Sequence, residues 1–366
     1  MQVIAKIAGF LTLTLCLSAA FAQEGGASVA DLLLAGDNYV RQNDCFTAIQ
    51  AYNMVLDREP DNVEAHLGRG RALFCEGAVA MAAEDFRQVI TTDSSNVLGY
   101  VWLARAYRTQ YQDSPREGAG RLDDALGVLQ DAERIDNQYA PLYNERGLVL
   151  RERGDLEGSR TAFETAIERA RSQDAPAAEQ ALYHMHAGVS YRDLGQPEQA
   201  LASFRRAVAM DPRNAAARNY LGVTYKGLER CEDAVFELEQ AVQLNPSFRE
   251  ANANLGVTLF DCGQVEASER YLRRALEIDP LSYPGIYIYL SRVSLQQGRL
   301  DEAVDTASRG AILPPNSADA WYWLGQAFQE RGAADDANNA CDAYRNALQL
   351  DADHSEARGA LDRSCQ

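Results

Sequence analysis

Tyr220-Leu-Gly-Val-Thr-Tyr225 and Asn254-Leu-Gly-Val-Thr-Leu259 are nearly the same hexapeptide, set 34 residues apart. Two looser variants flank them, His184-Met-His-Ala-Gly-Val-Ser-Tyr191 and Trp321-Tyr-Trp-Leu-Gly-Gln-Ala-Phe328. Gly188, Gly222 and Gly256 keep the 34-residue step, and so do Pro212, Pro246 and Pro280. A fixed period of this length marks a stack of one supersecondary unit. Each unit of such a stack packs on its neighbours, so a chain of 366 residues needs no single large core.

Outward from these stretches, each unit reads as two helices, A and B. Helix A has a small residue at unit position 8: Gly36, Gly70, Ala104, Gly147, Gly188, Gly222, Gly256, Ser291 and Gly325. Helix B has Ala or Ser at position 20. At position 24 it has a large residue in all but one unit: Tyr52, Phe86, Leu129, Phe163, Phe204, Leu238, Leu272, Ala307 and Tyr344. Helices approach closely only where side chains are small. Position 8 is therefore expected to face position 20, with large residues at 4, 7, 11 and 24 filling the space around that contact. Pro60, Pro212, Pro246, Pro280 and Pro315 at position 32 cannot continue helix B and so end the unit.

The pattern resembles the tetratricopeptide repeat across about residues 29–354. The resemblance implies an all-α, right-handed α-solenoid of about nine helix pairs with a C-terminal capping helix. Units 1–4 are expected over 29–171 and units 5–9 over 181–354. Residues 172–180 form an extra stretch between them, either a longer helix B or a hinge. The third unit is too long between its helices, around Gln110 to Gly120, where composition indicates a polar loop. The ninth has three extra residues near Ala333 to Asn339. Residues 355–366 carry Ala357, Ala360 and Leu361 at helical spacing, as a capping helix requires.

Residues 1–22 read as a secretory signal peptide. Lys6 is the only charge before Glu24, Ile7 to Ala22 is largely apolar, and Ala20-Phe21-Ala22 precedes Gln23 as a cleavage signature. An uncleaved anchor is the alternative, although the run is short for a membrane span. Lipidation at Cys16 fits poorly, because Leu15 is bulky. A short segment, 23–28, leads into the repeats. No later run is long and apolar enough to span a membrane. The expected compartment is therefore the periplasm or the exterior, with the bacterial setting inferred from the signal and the family.

The chain has 35 basic and 53 acidic residues, a net charge of −18, and loss of residues 1–22 removes one more lysine. That balance argues against nucleic acid as a partner, since phosphates need a basic face. It mainly confers solubility.

Beyond Cys16 six cysteines remain, an even number that suggests disulfides in an exported chain. In repeat numbering Cys45 and Cys75 stand at positions 17 and 13, and Cys231 and Cys262 at 17 and 14. Cys341 stands at 21, and Cys365 at 11 of the capping helix. Facing antiparallel helices require a nearly constant sum of positions, and these sums are 30, 31 and 32. The expected bridges are Cys45–Cys75, Cys231–Cys262 and Cys341–Cys365, with unlinked buried thiols as the alternative.

No catalytic motif is present: there is no GxSxG, P-loop, HExxH or CxxC. His184 and His186 lie about 200° apart around a helix rather than on one face. His66 and His184 hold position 4, a packing position. No cofactor, metal site or enzymatic activity is expected.

The resemblance implies a concave groove lined by helix A at positions 2, 5, 9, 12 and 13. Position 5 supplies an apolar floor that includes Leu67, Met185 and Tyr322. Arg71 and Arg105 at position 9, with Arg108, Arg151, Arg192 and Lys226 at position 12, form a basic row in an acidic protein. Read functionally, the row binds an acidic or extended protein segment; read structurally, it is cations favoured at helix C-termini. Exposed guanidinium groups would tolerate change, so replacing Arg105, Arg108 and Arg151 together is expected to leave stability nearly intact. Trp102, Tyr220, Tyr289 and Trp323 at position 6 either add contacts to a partner or pack helix A on helix A.

The Lys/Asn carboxylate clamp of chaperone-binding relatives is missing, and only Asn254 fits an asparagine ladder. The expected function is a non-enzymatic scaffold or adaptor in the cell envelope. A soluble receptor for a small anionic ligand or glycan is the alternative.

Overall fold

The protein, described from a computed structural model, is defined over residues 27–365 apart from 117, 119, 282, 283 and 315. The expected signal peptide and Pro315 lie outside the described residues. Those residues form nineteen helices and no strand. They fall into two compact units, the first ending at Ser190 and the second starting at Tyr191.

The first unit pairs α1 (Val29–Arg41) with α2 (Cys45–Leu56), α3 (Val63–Cys75) with α4 (Val79–Thr92), α5 (Val97–Asp113) with α6 (Arg121–Ile135), and α7 (Ala140–Arg153) with α8 (Leu156–Ser172). Most of α9 (Ala177–Asp193) also belongs to it. The second unit opens with α10 (Pro197–Met210). It then pairs α11 (Ala215–Gly227) with α12 (Cys231–Leu244), α13 (Arg249–Asp261) with α14 (Val265–Ile278), α15 (Pro284–Gln296) with α16 (Leu300–Ile312), and α17 (Ala318–Arg331) with α18 (Asp336–Leu350). The capping helix α19 (Ser355–Ser364) packs on α18 and buries Ala357 and Ala360. Odd-numbered helices from α1 to α17 are the A helices. Within each unit they also touch one another, α3 against α5 and α5 against α7 in the first, α13 against α15 and α15 against α17 in the second. Each unit is thus an α-solenoid of stacked hairpins with one face built from A helices.

Local chemistry explains the punctuation. Asn62, Asn96, Asp155, Asn214 and Ser317 precede helices, and their side-chain oxygens accept from the backbone N–H three residues on. Between helix A and helix B, the residue seven beyond position 8 adopts a left-handed conformation in eight units. It is glycine in six of them, Gly77, Gly154, Gly195, Gly263, Gly298 and Gly332, and Asn43 and Glu229 in the others, at φ 61° and 58°. A Cβ added at any of these six glycines meets nothing within 4 Å, so the backbone alone imposes the preference.

Position 8 faces position 20, as expected, and the large residue at position 24 closes over the contact. A Cβ at Gly70 would lie 2.6 Å from the Phe86 ring, one at Gly147 2.6 Å from Phe163, and one at Gly222 2.6 Å from Leu238 Cγ. Side chains on a helix tilt toward its N-terminus, so position 24 reaches back over the gap that position 20 borders. The carbonyl of Ala234, at position 20, follows at 3.1 Å from Gly222. Serines at these positions stay satisfied although fully buried: Ser268 Oγ donates to the Gly256 carbonyl at 2.7 Å, and Ser291 Oγ to that of Ala303 at 2.9 Å.

The insertions are partly helix. Gln110 to Asp113 add a turn to α5, leaving Ser114 to Gly120 as the connection. The stretch 172–180 is shared between the end of α8 and the first turn of α9, each 17 residues long, with a link at 173–176. In the ninth unit, Asp336 to Asn339 of the longer stretch open α18. Cys45 joins Cys75 between α2 and α3, Cys231 joins Cys262, and Cys341 joins Cys365, with Cα separations of 6.2, 6.0 and 5.7 Å. These are the three pairs with near-constant position sums.

Candidate functional site on the helix A face

The A face of the first unit carries four of the six expected basic residues, and two of them converge on a carboxylate. Glu145 of α7 is completely buried. Arg105 Nε donates to its Oε2 at 3.2 Å and Arg108 Nε to its Oε1 at 2.6 Å. Arg108 Nη1 reaches Glu152 Oε1 at 3.0 Å, and Gln112 donates to the same oxygen. Arg151 is engaged as well. Arg71 makes no ion pair among the described residues; its guanidinium and that of Arg105 flank the Trp102 ring at 5.7 and 4.5 Å. Trp102 in turn stacks on Phe86 and meets Phe74 edge-on, so it packs the helices together.

This arrangement overturns the expectation that Arg105, Arg108 and Arg151 can be replaced without loss of stability. Removing the two arginines that face Glu145 would strand a buried charge. Beside them His186 Nδ1 lies 2.7 Å from Asn144 Oδ1. Burial pulls its pKa down to about 4; Glu145 opposes the shift, while Arg108, Arg151 and Arg105 add to it. His66 is likewise structural, held between Asp85 Oδ1 at 2.9 Å and the Pro60 carbonyl at 2.8 Å. Leu67 packs against the core of this unit, and Met185 is partly buried.

In the second unit the A face opens into a cavity of about 670 Å³. Ala253, Val257 and Ile288 give it apolar walls, and Lys226, Arg249 and Arg292 bring cationic groups. Most of the basic groups are matched: Lys226 Nζ sits 2.8 Å from Asp261, and Arg249 pairs with Glu250. Asp319, on the rim, lies 3.1 Å from His354 Nε2. Arg292 differs. Its guanidinium carbon stands 4.5, 4.9 and 4.8 Å from the ring centres of Phe260, Tyr289 and Trp323, and no carboxylate among the described residues pairs with it. Arg192 pairs with its neighbour Asp193 at 3.0 Å and covers Tyr220, which stacks on Phe204. Tyr322 is turned to packing, against Trp323, Tyr344 and His354.

The structure therefore gathers Arg105 and Arg108 about one carboxylate, sets Lys226 on the rim of a cavity, and leaves Arg192 and Tyr322 in local contacts. Arg292 is the residue that the basic row omitted. Its signal was present: it holds position 9, as Arg71 and Arg105 do, and Phe260, Tyr289 and Trp323 hold positions 12, 6 and 6.

Family models described as tetratricopeptide repeats match residues 33–97, 224–283 and 289–355 in one case and 138–213 in another, well over half of the chain. The chain is a tetratricopeptide repeat protein. Among curated proteins it is 26% identical over 183 residues to a probable UDP-N-acetylglucosamine–peptide N-acetylglucosaminyltransferase, SPINDLY, of Hordeum vulgare. That alignment takes in 48% of the chain but only 18% of the relative. Two solved structures share the tetratricopeptide fold. The pilF protein of Pseudomonas aeruginosa is 20% identical with a TM-score of 0.52, over 62% of this chain and 98% of that one. A chain of the APC/C hetero-tetramer Cut9–Hcn1 is 13% identical with a TM-score of 0.54, over 93% and 84%. A tetratricopeptide array is a protein-interaction scaffold. No helix among the described residues is long and apolar enough to cross a membrane.

Proposed function

We propose that this protein is an exported, non-enzymatic adaptor that holds an extended segment of another protein against its helix A face. The observation that carries the reading is the cavity of about 670 Å³ in the second unit, whose walls come from A-helix positions 1, 2, 3, 5, 6, 9 and 12. Its size suits a few residues of extended chain. Export is supported by the character of residues 1–22 and by three disulfides, which persist in oxidising compartments. A receptor for a small anionic ligand or glycan is the second reading, since the same volume would hold one.

A photo-crosslinking residue placed at Ala253, in the cavity wall, tests the choice. Phe236 on α12, 56% exposed, is the matched control on a B helix. In intact cells the adaptor predicts a discrete protein adduct from position 253 and none from 236. Adducts from 236 alone would place the partner elsewhere. A small molecule retained in native mass spectra, with no protein adduct, would select the receptor. The mass of the exported chain should show that it starts at Gln23.

A further inference from the structure

Arg292 faces a cavity with its donors unspent. Three aromatic rings lie within 4.9 Å of its guanidinium carbon, and Phe260 and Tyr289 meet edge-on at 84° to form one corner of that cage. Rings packed around a guanidinium occupy its faces and hold the plane still, leaving the N–H edge as the free recognition element. No hydrogen bond or ion pair to Arg292 is found among the described residues, although the surrounding carboxylates are close at hand. Each of those is already engaged: Glu250 by Arg249, Asp261 by Lys226, Asp319 by His354. Of the three cations here, Lys226, Arg249 and Arg292, only Arg292 has no carboxylate set against it.

We propose that this cavity is a carboxylate-recognition site. In it, the edge of Arg292 takes an aspartate or glutamate side chain of an extended partner segment, and apolar neighbours of that residue rest on Ala253, Val257 and Ile288. The proposal rests on the adaptor reading and adds the chemistry of the bound segment. A planar, immobilised guanidinium suits a two-oxygen acceptor, which it grips through paired N–H donors. The aliphatic wall beside it excludes water from that pair and favours a segment that alternates acidic and apolar residues. Asn254, whose Nδ2 donates to Asn219 Oδ1 at 2.9 Å, lines the same wall and leaves its own carbonyl oxygen as an acceptor for the segment's backbone N–H.

The test uses the full exported chain and a library of end-capped nonapeptides, so that any carboxylate selected comes from a side chain. Bound peptides should be enriched in aspartate or glutamate beside apolar residues. Exchanging that acid for its amide in the best peptide should weaken binding about tenfold or more, and Arg292→Gln should do the same with only a small shift of the melting curve. Arg292→Lys keeps the charge but loses the paired donors, so it should fall between the two. Binding to the wild type should also weaken as salt rises, a readout independent of any variant's folding. Peptides chosen without acid preference, or affinity indifferent to the acid-to-amide exchange, would overturn the proposal. If such peptides still crosslink at position 253, the adaptor reading survives and only the role of Arg292 falls. If no peptide binds the A face, both fail. Succinate that competes as well as the peptide would transfer the site to a small ligand and overturn the peptide source.

Discussion

The A faces of the two units meet the same problem, a cation on a partly apolar helical surface, in opposite ways. In the first, Arg105 and Arg108 converge on the buried Glu145, and the charge is neutralised within the protein. In the second, Arg292 is held by aromatic rings, and the carboxylate is missing. Both devices fix a guanidinium. Only the second leaves its donors for another molecule. A row of basic residues is therefore a poor guide to a binding face until its internal partners are counted.

The sharpest way to break this contrast is to remove the cations from each side. Arg105→Gln with Arg108→Gln should destabilise the protein by about 3–5 kcal/mol, because Glu145 would remain buried and unpaired. Arg292→Gln should cost under about 1 kcal/mol, since no protein carboxylate depends on it. Equal losses in thermal melts would mean that both arginines are structural.

The second test uses His186, which sits beside the Glu145 cluster. Its pKa is about 4 in the folded protein and about 6.5 when unfolded, so between those values only the unfolded chain takes the proton. Stability tied to this group is complete above pH 6.5 and is lost as pH falls toward 4, by up to about 3 kcal/mol. His186→Asn should flatten that part of the stability–pH curve. An unchanged curve would remove histidine burial from the account of the first unit.

A third comparison asks what the units share. Gly70→Leu in the first and Gly222→Leu in the second should each cost at least about 2 kcal/mol, because Phe86 and Leu238 already occupy the space. Lys226→Gln, which breaks a half-exposed pair with Asp261, should stay within about 0.5 kcal/mol. The only gain is expected from Glu229→Gly. It relieves a left-handed side-chain residue at φ 58° and should stabilise by roughly 0.5–1 kcal/mol, read as a rise in melting temperature.

Much of the architecture was legible because the repeat reports it nine times. Gly188, Gly222 and Gly256 announce the period, and the cysteine positions identify which helices oppose each other. That position 24 comes nearest at Gly222 was not legible. It depends on how far the Leu238 side chain leans along its helix, a geometric quantity that spacing does not carry. The fate of the basic row was hidden for a different reason. Glu145 lies 40 residues beyond Arg105, on the next A helix, and spacing within one helix says nothing about a charge that arrives from its neighbour. Arg292 could have been found by asking which position 9 cations have aromatic residues at the adjoining groove positions.

The left-handed turn between helices A and B has an evolutionary consequence. At Gly77, Gly154 and the four other glycines of this set nothing stands within 4 Å of the missing side chain, so the turn residue itself bears on no packing contact. The third hairpin is longer there than the others, with an added turn of α5 before the connection. Lengthening such an edge costs little more than loop closure, about 0.6 kcal/mol for each doubling. The hairpin tips are thus where this lineage can acquire new recognition loops, and where an affinity tag or fluorophore can be grafted while the stack beneath keeps its register.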